Sequence, residues 1–288
     1  MQYRIIESKL RNKFFLFLLI IPLVLSAQDK SLVILHFNDL HSRIEPFPLN
    51  DARNANQGGV VRHASYIRDV RKEIKNVLVF HSGDMVQGTP YYNVFKGEVE
   101  ITVANRIKVD ASCLGNHEFD NGLVFLSNLI RRAKYPYIAT NLDFTGTPVE
   151  GQIKKYLILK RNGLKIGIIG LTPDLNGLVA KKSFEGVKYL DPLESANNMA
   201  TFLKKEKKCD LVICLSHLGY YPEEDEFGDI TLAKNSRNID IILGGHTHTF
   251  LQQSVNRPNL DGKEVIIRQT GAYGINIGRL ELTMEKVK

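Results

Sequence analysis

Short apolar runs rich in β-branched residues alternate along this chain with segments of helical periodicity, and that alternation confines it to the α/β class. The runs at 32–37, 77–81, 111–114, 137–140, 165–171, 211–216 and 239–243 are bounded by turn residues and read as buried strands. Helical spacing fills 60–74, 99–107, 123–134 and 192–208. The last of these opens with Asp191 as N-cap, Pro192 at the first helical position and Glu194 three residues past the cap. Late in the chain strands follow one another directly: 155–159 turns at Asn162-Gly163 into 165–171, and 264–269 and 275–283 come after. The acidic stretch 222–235 lacks strong periodicity and reads as a surface loop with one short helix. These elements predict a single α/β domain over 28–288 with mixed sheets and helices packed outside.

Residues 1–27 stand apart. Arg4, Lys9, Arg11 and Lys13 precede an unbroken apolar run from 14 to 25, and Ser26-Ala27 follows, which is the layout of a secretory signal peptide. The expected location is therefore secreted or periplasmic, with membrane contact only through an uncleaved signal. The net charge of +7 falls to +4 once this segment, with four Lys/Arg and Glu7, is set aside. So mild an excess makes no case for a nucleic-acid groove and does not repel a phosphorylated substrate. Cys113, Cys209 and Cys214 lack metal-ligand spacing and read as buried thiols; a Cys209–Cys214 bridge is disfavoured because extended residues five apart are too distant.

The polar residues that stop the apolar runs carry the chemistry. Asp39 and His41 follow 32–37, and on an extended strand residues two apart point the same way, toward one cation. Asp84 follows 77–81 through Gly83, whose turn pushes the carboxylate beyond the sheet. Asn116, after Gly115, offers an amide oxygen, while His117 is left free for proton transfer. His217 ends 211–216, and His246 and His248 leave 239–243 through a glycine pair. Taken singly, each is as well explained by a solvated strand end or a hydrogen-bonded histidine. Together they form a seven-donor set of oxygen and nitrogen without thiolate, suited to two divalent ions, Zn²⁺ or Mn²⁺ in first place and Fe or Co next, sharing a bridging carboxylate.

At these residues the chain resembles the calcineurin-like metallophosphoesterases, and among them the 5′-nucleotidase/UDP-sugar hydrolase family. The matching text is His36 to His41, Gly83 to Pro90, GNHEFDNG at 115–122, Ala139 to Asp143, Ser216 to Gly219 and GGHTH at 244–248. The resemblance implies a four-layer α/β/β/α sandwich. It implies one metal on Asp39, His41, Asp84 and His248, and a second on Asp84, Asn116, His217 and His246. It also implies a catalytic dyad of His117 and Asp120, and attack on phosphorus by a hydroxide bridging the metals. Gln87-Gly88 departs from the Asp-Arg-Gly of protein phosphatases, and Asp120 resembles the 5′-nucleotidase version of the motif.

The expected function is hydrolysis of nucleoside 5′-phosphates. The alternatives are a 2′,3′-cyclic nucleotide phosphodiesterase, or a catalytic subunit that needs a separate chain. Family members commonly continue into a domain that stacks the nucleobase, so either a separate polypeptide supplies it or the enzyme recognises mainly the phosphate. Arg62, Tyr91, Tyr92 and Tyr220 lie near the motifs, where packing or a solvated surface is the simpler account of each.

Overall fold

Two six-stranded sheets face each other, and the period-two alternation of their strands sorts apolar side chains into three layers. The computed structural model describes residues 3–7 and 30–286. The first sheet runs in the order β1 (Tyr3–Glu7), β14 (Gly278–Lys286), β2 (Lys30–Phe37), β3 (Val77–Ser82), β4 (Ala111–Cys113), β5 (Tyr137–Ile138). The second runs β12 (Val255–Pro258), β13 (Glu264–Arg268), β11 (Ile241–Leu243), β10 (Leu211–Ser216), β8 (Leu164–Leu171), β7 (Leu157–Arg161). Both sheets are mixed: β2 to β5 are parallel, as are β8, β10, β11 and β13, while β14 pairs antiparallel with both β1 and β2, β7 with β8 and β12 with β13. A two-stranded ribbon pairs β6 (Leu142–Asp143) with β9 (Lys188–Tyr189).

On β2, Leu32 and Ile34 point between the sheets with Leu78 and Phe80, where they meet Ile166, Ile168, Ile213 and Ile241 of the second sheet. Val33, Leu35 and Phe37 point the other way, against the buried faces of α1 (Val60–Glu73), α3 (Glu98–Ile107) and α4 (Leu123–Arg132). The outer face of the second sheet is covered by α5 (Pro192–Lys205), through Ala196, Ala200 and Leu203, and by α6 (Asp229–Asn235). At about 1.5–3 kcal/mol for each buried Leu, Ile, Val or Phe, these layers dominate the stability and hold the strand ends in fixed positions. The four-layer α/β/β/α expectation is met.

Several local readings shift. The six-residue helix α2 (Pro90–Phe95) was not expected, nor were β6, β9 and β12. The segment 222–235 is less of a surface loop than its composition suggests: α6 buries Asp229, Ile230, Leu232 and Ala233 against the second sheet. The final strand starts at Gly278 rather than 275. All three cysteines are buried and free. The apolar run of the expected signal lies outside the described residues, whereas Tyr3–Glu7 pairs antiparallel with β14.

Candidate metal centre

The C-terminal ends of β2, β3, β4, β10 and β11 open onto one edge of the paired sheets, where loops of a parallel sheet gather polar groups. All seven predicted ligands are there. Five of them, Asp39 (φ 49°), His41 (φ 49°), Asp84 (φ 57°), His246 (φ 78°) and His248 (φ 53°), adopt the left-handed conformation. This corrects the extended-strand argument for Asp39 and His41. The strand stops at Phe37, and the two side chains converge because both residues turn left-handed. Such backbone costs about 1–3 kcal/mol per residue and persists only where the surroundings over-determine it. Here Asp39 N–H donates to Gly83 O (3.0 Å), His41 N–H to Asp84 O (3.1 Å) and Tyr273 N–H to Asp39 O (2.7 Å).

Asp39, His41 and His248 form one group of convergent donor atoms, and Asp84, His217 and His246 a second. His248 Nε2 lies 3.4 Å from Asp39 Oδ1, and His217 Nε2 lies 3.0 Å from Asp84 Oδ2. Asp84 Oδ2 is also 3.9 Å from His41 Nε2, which places this carboxylate between the groups. Glycine is required twice for this approach. A Cβ on Gly115 would collide with the Asp84 carboxylate, and one on Gly245 would sit 2.5 Å from Ser82 O and 2.7 Å from His217 Nδ1.

The donor set fits divalent cations. The buried amide oxygen of Asn116 has no hydrogen-bond partner, and His217 Nε2, although close to Asp84, makes no hydrogen bond. His41 Nε2 and His248 Nε2 face each other at 2.9 Å, and two imidazole lone pairs so close need a proton or a cation between them. The ring nitrogens facing away are held: His41 Nδ1 donates to Gln87 O (3.2 Å) and His217 Nδ1 to Ser82 O (2.7 Å), which aims both Nε2 atoms inward. Burial alone would lower His217, but the Asp84 and Asp39 carboxylates override it and push the imidazole up to about 10. Burial is the largest single influence on Asp84 and raises it, but the positive His217 beside it, together with His117 and His41, outweighs burial and leaves the carboxyl well below the usual range. Positive charge is thus favoured at this spot, and a bound cation would supply it. His246, by contrast, is lowered to about 4, by burial first and then by His217.

His117 and Asp120 are in contact, with Nδ1 2.7 Å from Asp120 Oδ2. Burial opposes protonation of His117, yet the hydrogen bond it donates to Asp120 and the charge of Asp84 raise its pKa. His117 also lies within reach of His41 and Asp84 as a third possible donor group. Three supporting residues escaped the sequence reading. The buried Glu118 carboxylate accepts N–H bonds from Asp84 (3.0 Å), Met85 (2.8 Å) and Gly115 (2.7 Å), fastening the loop of Asp84 to that of Asn116. Buried Asp229 accepts from Ser216 Oγ at 2.5 Å. Tyr273 packs on His41 and His248. A tyrosine enclosed by Gly271 and Gly274 just past β13 was the available signal for the last. The other candidates serve locally: Arg62 bonds Asn56, and Tyr220 N–H bonds Thr247 Oγ1.

The calcineurin-like phosphoesterase family model matches residues 32–250. The chain belongs to that family. It is 32% identical over 283 residues to a snake venom 5′-nucleotidase of Crotalus adamanteus, covering 91% of this chain and 47% of that protein. Among solved structures it is similar to the 5′-nucleotidase precursor from Thermus thermophilus (TM-score 0.78, 31% identity, 87% of this chain and 51% of that one). It is also similar to the calcineurin-like phosphoesterase YfkN from Bacillus subtilis (TM-score 0.74, 27% identity, 91% and 87%). The chain spans about half the length of the curated relatives it matches.

Proposed function

We propose that this phosphoesterase-family chain hydrolyses nucleoside 5′-phosphates with two divalent ions, Zn²⁺ or Mn²⁺, and acts outside the cytoplasm. The observation that carries the reading is the Asp84 carboxylate placed between two donor groups, with His117 donating its backbone N–H to Asp84 Oδ1 at 2.9 Å. Asp39, His41, Asp84 and His248 would hold one ion, and Asp84, Asn116, His217 and His246 the other. Bound there, the pair would neutralise phosphoryl oxygens and activate water. The chain's own part is proton transfer and support. Asp120 fixes Nδ1 of His117, so Nε2 is the atom free to protonate the departing oxygen. Glu118 keeps the Asp84 and Asn116 loops in register. The 5′-nucleotidase names of the relatives support the substrate class, and the apolar run after Arg4–Lys13 supports export. Among the described residues no helix is long and apolar enough to cross a membrane.

The test is phosphate release by the chain from Gln28 onward, with AMP and 2′,3′-cyclic AMP in parallel, with and without Mn²⁺ or Zn²⁺. Metal-dependent release from AMP is expected. Cleavage of the cyclic substrate alone would overturn the substrate class. Metal binding without cleavage of either would turn the search to a separate polypeptide, sought as a stoichiometric second chain in a pull-down.

A further inference from the structure

A cavity of about 430 Å³ opens beside His117 and is walled on its far side by Arg43, Phe47, Asn54 and Tyr273. We propose that Arg43, Phe47 and Tyr273 form a leaving-group subsite that selects a planar aromatic group bearing acceptor atoms, such as a nucleobase, over an aliphatic group. The proposal rests on the phosphoesterase reading and deepens it. With Nδ1 of His117 committed to Asp120, the atom free to protonate the leaving oxygen is Nε2, and this cavity shares His117, His41 and His248 with the metal centre.

The walls are preset. Tyr273, at φ 61°, is tied through its N–H to the carbonyl of Asp39, so the backbone that places a ligand also places this ring. Its ring lies 5.7 Å from Phe47, edge to face at 85°. Gly58 permits the closure, since a Cβ there would lie 2.6 Å from Tyr273 O. Arg43 supplies the polar anchor. Its guanidinium lies 4.0 Å over the Phe47 ring and its Nε is buried without a hydrogen-bond partner; the Asp51 carboxylate acts on it electrostatically without closing to an ion pair. Nearby Asp51 is engaged with the backbone N–H groups of Arg53 (3.0 Å) and Asn54 (2.7 Å). An unpaired guanidinium stacked on an aromatic ring is suited to acceptors on a flat ligand. The opposite flank, a cavity of about 490 Å³ reached past His246, is walled by Asp174, Asp191 and Glu226, which repel an anionic substrate.

The experiment compares kcat/KM for AMP and ribose 5-phosphate in the wild type, Tyr273→Ala, Arg43→Met and Arg43→Lys, and measures adenosine binding by equilibrium dialysis with Mn²⁺ present. Expected are a wild-type preference for AMP that shrinks at least about tenfold in Tyr273→Ala, mainly through KM, and a matching loss of adenosine affinity, the usual scale of one lost base stack. Arg43→Met should act in the same direction, and Arg43→Lys should restore only part. Equal losses on both substrates, with adenosine binding unchanged, would overturn the subsite. If the wild type releases no phosphate, the enzymatic reading fails and adenosine binding still decides the subsite: affinity lost in both Tyr273→Ala and Arg43→Met supports it, and affinity retained overturns it.

Discussion

The two donor groups at the sheet edge are built from the same residue types but sit at different depths. In the group around Asp84, His217 is fully buried and Asp84 nearly so, and both emerge directly from strand ends braced by Ser82 O and Glu118. In the group around Asp39, the side chain of His248 is 35% exposed, stands on a loop after β11, and borders the cavity that holds Arg43 and Tyr273. The half around Asp84 is deep through His217 and Asp84, while its His246 is only partly buried and borders the opposite cavity; the two buried donors suit it to retaining an ion. The outer half opens to solvent through the cavity beside Arg43 and Tyr273, and an ion held there would exchange more readily. Asp84 lies between them, so on the proposed function retention and access would be coupled through one carboxylate.

Removing that coupling has the largest expected effect. Asp84→Ala should lose both ions by elemental analysis and reduce phosphate release to background, since a shared ligand belongs to each half. Retention of one full equivalent would show that the halves are independent and break the comparison. His117→Ala comes next. Metal content should stay normal while kcat falls about 10²- to 10⁴-fold, the usual contribution of a positioned acid. Loss of metal in that variant would make His117 a ligand, as its nearness to His41 and Asp84 allows. A smaller effect separates the halves directly. His248→Ala should release one ion and keep the other through dialysis, whereas His217→Ala should weaken the retained ion by at least about tenfold. The reverse order would mean that depth does not set retention.

Much of this arrangement was legible in the chain because most of the predicted ligands stop an apolar run. Asp39, Asp84, Asn116, His217 and His246 stand within a few residues of a strand end, and strand ends are readable from composition. What was hidden depends on backbone conformation or on contacts across the chain. Nothing in Asp-Leu-His announces left-handed φ at both Asp39 and His41, since among non-glycine residues that conformation is set by tertiary context. Glu118 acts through N–H groups of Asp84 and Met85, more than thirty residues away in sequence. The helix α2 is too short to show periodicity. In α6 the buried Ile230, Leu232 and Ala233 are outweighed by the acids at 223–226 before them.

Asp229 offers the finest test of the deep half, because it supports that half without touching a predicted ligand. Its Oδ1 accepts from Ser216 at the end of β10, its Oδ2 has no partner, and a Cβ on Gly244 at the end of β11 would collide with it. Burial pushes this carboxyl up to about 7, with the Ser216 hydroxyl and His217 offsetting part of the rise. A raised carboxyl means that the folded state keeps a proton which the unfolded chain gives up above the ordinary carboxylate range. Stability should therefore fall as pH rises from about 4 to about 7 and level off above, with a limiting slope of about 1.4 kcal/mol per pH unit. Asp229→Asn keeps the Oδ1 acceptor and removes the titration. Its unfolding free energy relative to the wild type should rise across that window, as measured by denaturant unfolding at fixed metal concentration. A difference independent of pH would mean that Asp229 is ionised in the fold. The two strand ends would then be held apart by a buried charge rather than together by a neutral acid, and the deep half would lose that brace.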